Sequence, residues 1–471
     1  MDVLDLTRLQ FAVVTIYHYL FVPLSISLSA AAAGLHLTWM RTGSEKFLHL
    51  TKFVGKLLIV TFAVGVVTGL VQEFQFGLGW SAFAKFYGDV FGPTLAIEGM
   101  LAFFLEATFL ALWYFGWGRL PRRVHAATIV VVAVGTLLSA YIILAANSFM
   151  QNPVAYALDP ATGRAHLTSF GELLTNEVVL AAFPHTMAGA AMAGGGLLLA
   201  IGVWRVAADG AFRTLARLGA WLMLIGGALT AITGDHLGKV MTAVQPMKMA
   251  AAEALYATTT GAPFSVFAIG KLGHEKPFLT VEIPHLLSFL GTGSFGGTVQ
   301  GIDDLQAQYS AQYGPGSYVP MIPVAFWTFR LMIGAGVAGM ALAAYYLWAS
   351  SNRTWRIPLL PAFLQPGAGV PGWIKRILLL SPLLPAAANT FGWVFTETAR
   401  QPWLAFGISK VSDGISPGLT SAEVITSLAG FTLVYGFLAI AWFKLVVHLS
   451  RKPLAPEISD SAPEAEPVPA Y

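Results

Sequence analysis

The 471-residue sequence contains no cysteine. Iron-sulfur clusters, thiolate-ligated haem, covalent haem attachment through C-x-x-C-H and cysteine-bound copper centres all require cysteine, so the sequence excludes each of them. Any redox metal in this protein must therefore be bound by histidine, methionine or carboxylate side chains.

Charged residues are also few in this sequence. Only 11% of the residues are charged whereas 56% are hydrophobic, and a soluble domain has about one quarter charged residues. The net charge is +3, and the lysines and arginines are scattered among apolar runs. This distribution lacks the basic stripe that follows a phosphate backbone, so we expect no nucleic acid partner. The composition predicts an all-α, polytopic membrane protein.

Signals for targeting and for internal repetition are also lacking. The first residues, MDVLDL, are acidic where a signal peptide is basic, and no short apolar stretch ends in an A-x-A-like site. We therefore expect the first apolar run to remain as a spanning helix. No convincing repeat of 20 to 50 residues is visible, which gives no support to a transporter built from inverted repeats.

What the sequence has instead is a series of long apolar runs. A helix needs about twenty such residues to cross the hydrocarbon core. Nine runs meet this length or approach it: 11–39, 53–73, 94–116, 124–147, 180–204, 217–234, 323–349, 376–397 and 423–447. We predict helices 1 to 6 within 1–234, a loop over 235–322, helices 7 to 9 within 323–449, and a disordered tail over 450–471.

The distribution of lysine and arginine predicts the orientation of these helices. Basic residues concentrate in the connections after helices 1, 3, 5 and 7 and at the C-terminal end. The positive-inside rule then places the N-terminus outside, and the long loop with it. The tail is rich in Pro, Glu and Ala, and we expect it in the cytoplasm.

Within this topology, five possible ligands from five helices fall at a similar depth near the outer side. They are His18, Glu98, His185, Met332 and Glu397. Each residue alone has an ordinary structural explanation, as a satisfied histidine, an interfacial acid or a packing methionine. Their shared depth favours a common site, because independent structural roles do not require one level.

The segment FTETARQPW raises a related question, since an acid in a membrane helix is costly and normally has a partner or a function. Glu397 and Arg400 are three residues apart and share a helical face. An interfacial ion pair where Pro402 ends the helix explains this segment taken alone.

Glu106 lies two turns deeper than Glu98, about 80° around a regular α-helix. An acid at that depth is by default a proton or ion site. Ser139 is a weaker candidate for the same path, because a membrane serine usually bonds to its own backbone. A proton-coupled transporter that uses Glu98 and Glu106 without haem is therefore an alternative function.

Histidine, methionine and carboxylate ligands at one level suit haem better than zinc or copper. The sequence has no His-His dipeptide and no set of six helical histidines, which argues against a haem-copper oxidase. It also lacks the paired histidines on two helices that a bis-histidine cytochrome b needs.

At these residues the sequence closely resembles subunit I of cytochrome bd-type quinol oxidases. The resemblance runs in order along nearly the whole chain except the tail, in these segments: TRLQFAVVTIYHYLFVPL, TKFVGKLL, GLVQEFQFG, AIEGMLAFFLEATF, ANSFMQNPVAY, FPHT, VQPMKMAAAEA, FRLMIGAG and GWVFTETARQPW. Two features depart from the family pattern: Ala399 stands where glycine is usual, and the outer loop is of the short kind.

The resemblance implies roles for individual residues. It makes His185 and Met332 the axial ligands of a low-spin haem b, with Arg330 beside a propionate of that haem. His18 and Glu397 match the axial positions of two high-spin haems, a haem b and a haem d, or a third haem b in place of haem d. Which of these two haems each residue binds is left open.

The resemblance also implies supporting residues around these haems. Arg400 would compensate the charge of Glu397, and Trp393 lies one turn earlier on the same face. Glu98 would sit beside the oxygen-reducing haem, and Glu106, with Ser139, would deliver protons to it. Each of these roles is an expectation from the family pattern.

The family pattern further implies a quinol site at Lys248 and Glu253, in the outer loop and outside the helical bundle. Dioxygen would be the electron acceptor, and protons would come from the cytoplasm without pumping. A second membrane subunit, subunit II, would complete a heterodimer in the bacterial cytoplasmic membrane, and a small single-helix subunit is left open. Ubiquinol or menaquinol, and membership of the cyanide-insensitive branch, are also left open.

Overall fold

Nine helices long and apolar enough to span a membrane occur in the part of the chain that the computed structural model describes. That part comprises residues 2–274, 277–352, 356–358 and 360–454. The protein is therefore an all-α polytopic membrane protein, as the composition predicts. From residue 455 onward, the predicted disordered tail lies outside the described residues.

The helices follow one another in a regular series, with short helices between the long ones. Their bounds are α1 Val3–Thr42, α2 Glu45–Leu78, α3 Ser81–Ile97, a π-helix Glu98–Phe103, α4 Phe104–Phe115, α5 Arg122–Gln151, α6 Phe170–Leu174, α7 Glu177–Arg205, α8 Ala211–Val244, α9 Pro246–Glu253, α10 Leu286–Thr292, α11 Ile302–Tyr313, α12 Ile322–Ala349, α13 Gly372–Leu378, α14 Leu383–Thr398 and α15 Ser421–Arg451. Two 3₁₀-helices occupy Ala362–Leu364 and Val411–Gly414.

The strands are short and form four antiparallel pairs between helices. Their bounds are β1 Tyr156–Leu158, β2 Ala165–Leu167, β3 Thr259–Thr260, β4 Phe264–Ile269, β5 Leu279–Ile283, β6 Thr298–Val299, β7 Trp403–Ala405 and β8 Ser409–Lys410. The pairs are β1 with β2, β3 with β6, β4 with β5 and β7 with β8.

Most of the spanning helices extend beyond the predicted apolar runs, and two of them differ in a way that moves a loop or divides a helix. The sixth spanning helix, expected to end at residue 234, continues as α8 to Val244. An ion pair at 2.5 Å between Asp235 and Lys239, at positions i and i+4 just beyond the expected end, stabilises the continued helix. The long loop therefore begins after Val244 and not after residue 234, which is nearly three helical turns later than predicted.

The eighth spanning helix, expected to be continuous over 376–397, is divided into α13 and α14. Pro382 lies at the division, where its missing N–H cannot donate to a preceding turn. The Ser381 hydroxyl donates instead to the Gly196 carbonyl oxygen at 2.9 Å, which fixes the break against α7.

Helices α7 and α8 form the most closely packed pair. A Cβ added at Gly219 would lie 2.4 Å from the Leu199 backbone nitrogen, and one at Gly202 would lie 2.5 Å from the Ala216 nitrogen. Only glycine allows such an approach of two backbones, as is common between membrane helices.

The long connection between α8 and α12 is ordered in its described residues and covers one end of the bundle. Its short helix α9 packs against α8, α11 and α12. A cluster of buried residues, including Met247, Tyr309, Tyr318 and Trp403, joins this connection to the chain that follows α14.

Candidate functional site

One large cavity runs through the bundle, with a volume of about 1420 Å³. A pocket for a single drug-sized ligand has about 300 to 1,000 Å³, so this cavity has room for more than one group. Side chains from α1, α2, α5, α7, α8, α9, α12 and α14 line it. All of the predicted site residues line it as well, with the exception of Arg330.

His18 is held through its Nδ1 atom, which lies 3.0 Å from the Thr68 hydroxyl oxygen. The Thr68 hydroxyl donates its own proton to backbone carbonyl oxygens of α2, at 2.9 Å and 3.0 Å, so the hydroxyl oxygen accepts from His18. Nδ1 of His18 therefore carries the proton and Nε2 keeps its lone pair. This is the tautomer in which the Nε2 of a histidine can bind a metal.

His185 is arranged in the same way on α7. Its Nδ1 atom donates to the Thr230 carbonyl oxygen at 3.1 Å, and a carbonyl oxygen can only accept. Gly234 leaves the room for the ring, since a Cβ there would lie 3.1 Å from Cε1 of His185. The Nε2 lone pair of His185 is again left for another partner.

Met332 contributes a thioether from α12. A Cβ at Gly392 of α14 would lie 2.8 Å from its Sδ atom, so Gly392 creates the space that the sulfur occupies. Met332 lines the same cavity as both histidines. The thioether is a soft ligand with no proton to lose.

Glu397 is bound by two partners at the C-terminal end of α14. Its Oε2 accepts from Nη2 of Arg400 at 2.5 Å, and its Oε1 accepts from Nδ2 of Asn147 at 3.0 Å. The ion pair that the i, i+3 spacing predicts is therefore present. Trp393, one turn earlier, lines the cavity with Glu397. Sequence reasoning missed Asn147, whose only signal was its place in the segment ANSFMQNPVAY.

Ala399, the departure from the family pattern, has φ of −77° as the C-cap of α14. This is a helical backbone conformation, and alanine adopts it without strain. Glycine is therefore not required at this position.

The two acids of the third spanning segment are connected by the π-helix Glu98–Phe103. In a regular α-helix they would be about 80° apart, but the wider turn inserts about one residue and brings them to within about 20°. Glu98 and Glu106 therefore lie on nearly one face, contrary to the angle expected from the sequence. π-Helical turns often occur at functional sites.

The surroundings of these two acids differ. Ser139 donates to Oε1 of Glu98 at 2.8 Å, so the serine pairs with the first acid rather than with Glu106. Glu106 is buried, and its Oε1 has no hydrogen-bond partner among the residues that the structure describes. A Cβ at Gly135 would lie 2.8 Å from Cγ of Glu106, so Gly135 admits the side chain.

Lys248 and Glu253, expected outside the bundle, both lie on α9 and line the cavity itself. Each is buried. Burial lowers the pKa of Lys248 to about 7, and nearby Arg400 lowers it further whereas Glu397 opposes the shift. Burial likewise raises the pKa of Glu253 to about 7, against the opposing charge of Arg330. Both groups thus titrate near neutral pH.

Arg330 lies behind this pair, on α12. Its Nη2 donates to Oε2 of Glu253 at 2.8 Å, and its Nη1 donates to the Ala252 carbonyl oxygen at 2.6 Å. Arg330 thereby connects the quinol-site candidate to the helix of Met332, two residues away. Its predicted role beside a haem propionate stays a prediction.

The donor set of the cavity fits haem. Two imidazoles present an Nε2 lone pair, and a thioether and a carboxylate line the same space. Imidazole, thioether and carboxylate groups are the side chains that bind the iron of a haem as axial ligands. A buried donor of a residue that lines the cavity, Nε of Arg400, has no partner in the described part of the chain, and an anionic carboxylate would satisfy it.

Comparisons with known proteins agree with this geometry. The sequence model of the family "Cytochrome bd terminal oxidase subunit I" matches residues 6–454. The chain is 38% identical over 464 residues to the cytochrome bd ubiquinol oxidase subunit 1 of Bacillus subtilis, covering 96% of this chain and 94% of that protein. It is 32% identical over 511 residues to the cytochrome bd-II ubiquinol oxidase subunit 1 of Escherichia coli, covering 96% of each.

A solved structure is similar as well. The bd oxidase from Geobacillus thermodenitrificans matches with a TM-score of 0.83 at 26% sequence identity, covering 96% of this chain and 98% of that one. The likeness thus extends over nearly all of both chains.

Proposed function

The chain belongs to the cytochrome bd terminal oxidase subunit I family, and we propose that its cavity carries three haems that serve quinol oxidation and the reduction of dioxygen to water. The chain is thus an oxidoreductase of a respiratory chain. The observation that supports the proposal best is the shared tautomer of His18 and His185, each held at Nδ1 with Nε2 free toward one cavity.

In this proposal His185 and Met332 hold a low-spin haem b. His18 and Glu397 hold the two high-spin haems, a haem b and either a haem d or a further haem b. When bound, the haems supply the one-electron carriers and the iron that binds dioxygen. The residues around them fix the ligands: Thr68 and Thr230 set the histidine tautomers, and Asn147 and Arg400 hold the carboxylate of Glu397.

Quinol is oxidised beside Lys248 and Glu253 in this proposal. A base there takes a hydroxyl proton from the quinol, and a cation holds the oxygen as negative charge develops on it. Glu253 suits the base and Lys248 the cation, because both titrate near neutral pH. The basic residues of the opposite connections support a position of this site on the outer face, where the quinol protons would be released.

The protons that form water follow a different route. Glu106 is buried and one of its oxygens has no partner within the described chain, so it is placed to pass protons along the shared face to Glu98. Ser139 donates to Glu98 and completes this segment of the path. Proton uptake from the cytoplasm and release outside separate charge across the membrane without a pump.

The surface of the bundle offers an apolar face that suits a partner subunit. Large apolar side chains of α15 are exposed, among them Leu433 at 75% and Phe437 at 71%. Lipid or a second membrane subunit must cover such a face. We assign the partner as subunit II of the oxidase in the bacterial cytoplasmic membrane, with the C-terminus in the cytoplasm, and leave open an added single-helix subunit.

The experiment that tests the proposal is oxygen uptake by the purified complex in proteoliposomes. Decylubiquinol and menadiol are supplied in turn as donors, and acidification on the quinol side is recorded. We expect quinol-dependent uptake, with no more protons released than the quinol itself loses. Absence of uptake with both donors would contradict the oxidase, and additional protons would contradict the absence of pumping.

A further inference from the structure

The Lys248 side chain has an unusual environment for a buried amine. Its Nζ donates to Oε1 of Gln151 and lies 4.0 Å from Sδ of Met241. Within the described residues, no carboxylate lies within ion-pair distance of it. The position of this amine therefore depends on one neutral side chain, that of Gln151.

Gln151 is itself firmly held at the C-terminal end of α5. Its carbonyl oxygen accepts from Nε2 of Gln245 at 2.5 Å, and Asn176 donates to the next carbonyl oxygen, that of Asn152, at 2.8 Å. These side-chain amides satisfy carbonyl groups that the end of a helix leaves free. These hydrogen bonds hold the backbone from which the Gln151 side chain extends into the cavity lining.

The other polar atom of the Gln151 side chain is its amide nitrogen, Nε2. The residue is 1% exposed and lines the cavity, yet its Nε2 has no hydrogen-bond partner among the residues described. A buried amide donor without a partner costs about 1 to 3 kcal/mol. Because Oε1 already accepts from Lys248, the amide orientation is fixed and Nε2 must be the free donor.

We propose that Gln151 is a quinol-binding residue: its Oε1 holds Lys248, and its Nε2 donates to a ring oxygen of the quinol in the cavity. The inference rests on the proposed function, because it takes the quinol to bind beside Lys248. A quinol or quinone oxygen is an acceptor of the right chemistry, and it would satisfy the buried amide nitrogen of Gln151, which has no partner among the described residues.

The test uses two substitutions that separate the two atoms of the amide. Gln151→Met keeps length and shape but removes both polar atoms. Gln151→Glu still accepts from Lys248 but, as a carboxylate, cannot donate. The measurements are KM for decylubiquinol, the dissociation constant of decylubiquinone by calorimetry, and haem content from the visible spectrum.

We expect both variants to keep their haem and to weaken decylubiquinone binding and raise KM about tenfold or more. Wild-type affinity in Gln151→Glu would overturn the donor role, and wild-type affinity in Gln151→Met would overturn the proposal. Loss of haem in both variants would make Gln151 a structural residue and overturn it as well.

Two control variants distinguish a failure of the role of Gln151 from a failure of the proposed quinol site. Gln306→Met removes a glutamine of α11 that bonds to Ser310, Gly316 and Tyr318 within the same connection, and it should leave the affinity unchanged. An equal loss in that variant would assign the effect to the loop as a whole and overturn the role of Gln151. Lys248→Ala tests the proposed quinol site itself. If it leaves decylubiquinone binding unchanged, the proposed site is wrong; if it weakens binding while Gln151→Met does not, only the present inference fails.

Discussion

Two parts of the bundle are built in opposite ways. Helix α7 buries 18 of its 29 residues, and its glycines meet the backbone of α8 directly. Helix α14 has 16 residues, of which only Pro385 is buried, although Trp393 and Glu397 lie on it. Other side chains and backbone of the protein pack around α7. Helix α14 instead faces the large cavity, which has room for a bound group.

This difference distinguishes the structural part of an apolar chain from the part that binds a cofactor. Burial by the chain's own side chains marks a scaffold, whereas exposed apolar and ligand-bearing faces that meet at a cavity mark a cofactor site. His185 shows the relation within one helix, because α7 carries this candidate ligand near its start and packs tightly against α8 beyond it. The scaffold thereby holds a candidate ligand at a defined place.

The largest effect is expected where the scaffold is broken. Gly219→Ala places a Cβ 2.4 Å from the Leu199 nitrogen and 2.6 Å from the Gly195 carbonyl oxygen, and neither backbone atom can yield. We expect a loss of about 1 to 3 kcal/mol or more in stability, with poor assembly in the membrane. The matched control is Gly430→Ala on α15, where nothing lies within 4 Å. Thermal loss of haem absorbance measures both, and equal stability of the two variants would contradict the scaffold role.

The next effect concerns the deep acid on the cavity side. Glu106→Gln keeps the size and polarity of the side chain but cannot release a proton, so we expect oxygen turnover to fall about 100-fold or more while haem content survives. Glu106→Asp should lie between the two, because its carboxylate is drawn back by one methylene. Steady-state oxygen uptake and the charge signal after a single oxygen pulse measure the effect. Full activity in the glutamine variant would remove Glu106 from the proton path.

The proposed quinol site should respond to pH and to substitution. Glu253 must lose its proton to act as a base, so activity rises as pH increases through about 7, the pKa that burial gives this residue. Lys248 must keep its proton to act as a cation, so activity falls as pH rises through its pKa of about 7, which burial has lowered. We therefore expect a narrow bell-shaped profile of kcat/KM with its maximum near neutral pH.

Lys248→Ala should lower quinol turnover about tenfold and remove the alkaline limb, and Glu253→Ala should remove the acid limb. All haem should remain in both variants. An unchanged profile in either variant would exclude that residue from the site. Loss of haem instead would show that α9 supports the cofactors structurally.

The smallest effect on the protein is expected from a substitution of Met332. Met332→Leu is close to conserving volume, so the fold should remain. His185 would then be the only axial ligand of its haem, and we expect the low-spin band to weaken and the potential to fall, since thioether ligation raises it. A redox titration followed by absorbance measures both, and an unchanged spectrum and potential would exclude Met332 as a ligand.

Much of this architecture was predictable because residue type and depth are visible in the sequence. The nine spans follow from apolar length, and the ligand candidates stand out because His18, Glu106 and Glu397 are costly in a membrane helix. The long apolar runs also predict that these residues face a common interior.

Other features have no signal of that kind. The π-helix between Glu98 and Glu106 changes their relative angle without a pattern in residue type, and α8 continues past Gly234 because an ion pair and packing support it. Asn147 and Gln151 are neutral residues whose importance comes only from Glu397 and Lys248, far away in the sequence. Contacts between distant segments cannot be read from a local pattern.

The most direct test of the account is haem analysis of the purified protein with its partner subunit. A pyridine haemochrome assay gives the number and type of haems per chain, and it also separates haem d from a further haem b at the oxygen site. The account predicts three haems, with the visible spectrum of a low-spin and a high-spin population. A colourless protein that moves protons through Glu98 and Glu106 would contradict it and would favour a transporter.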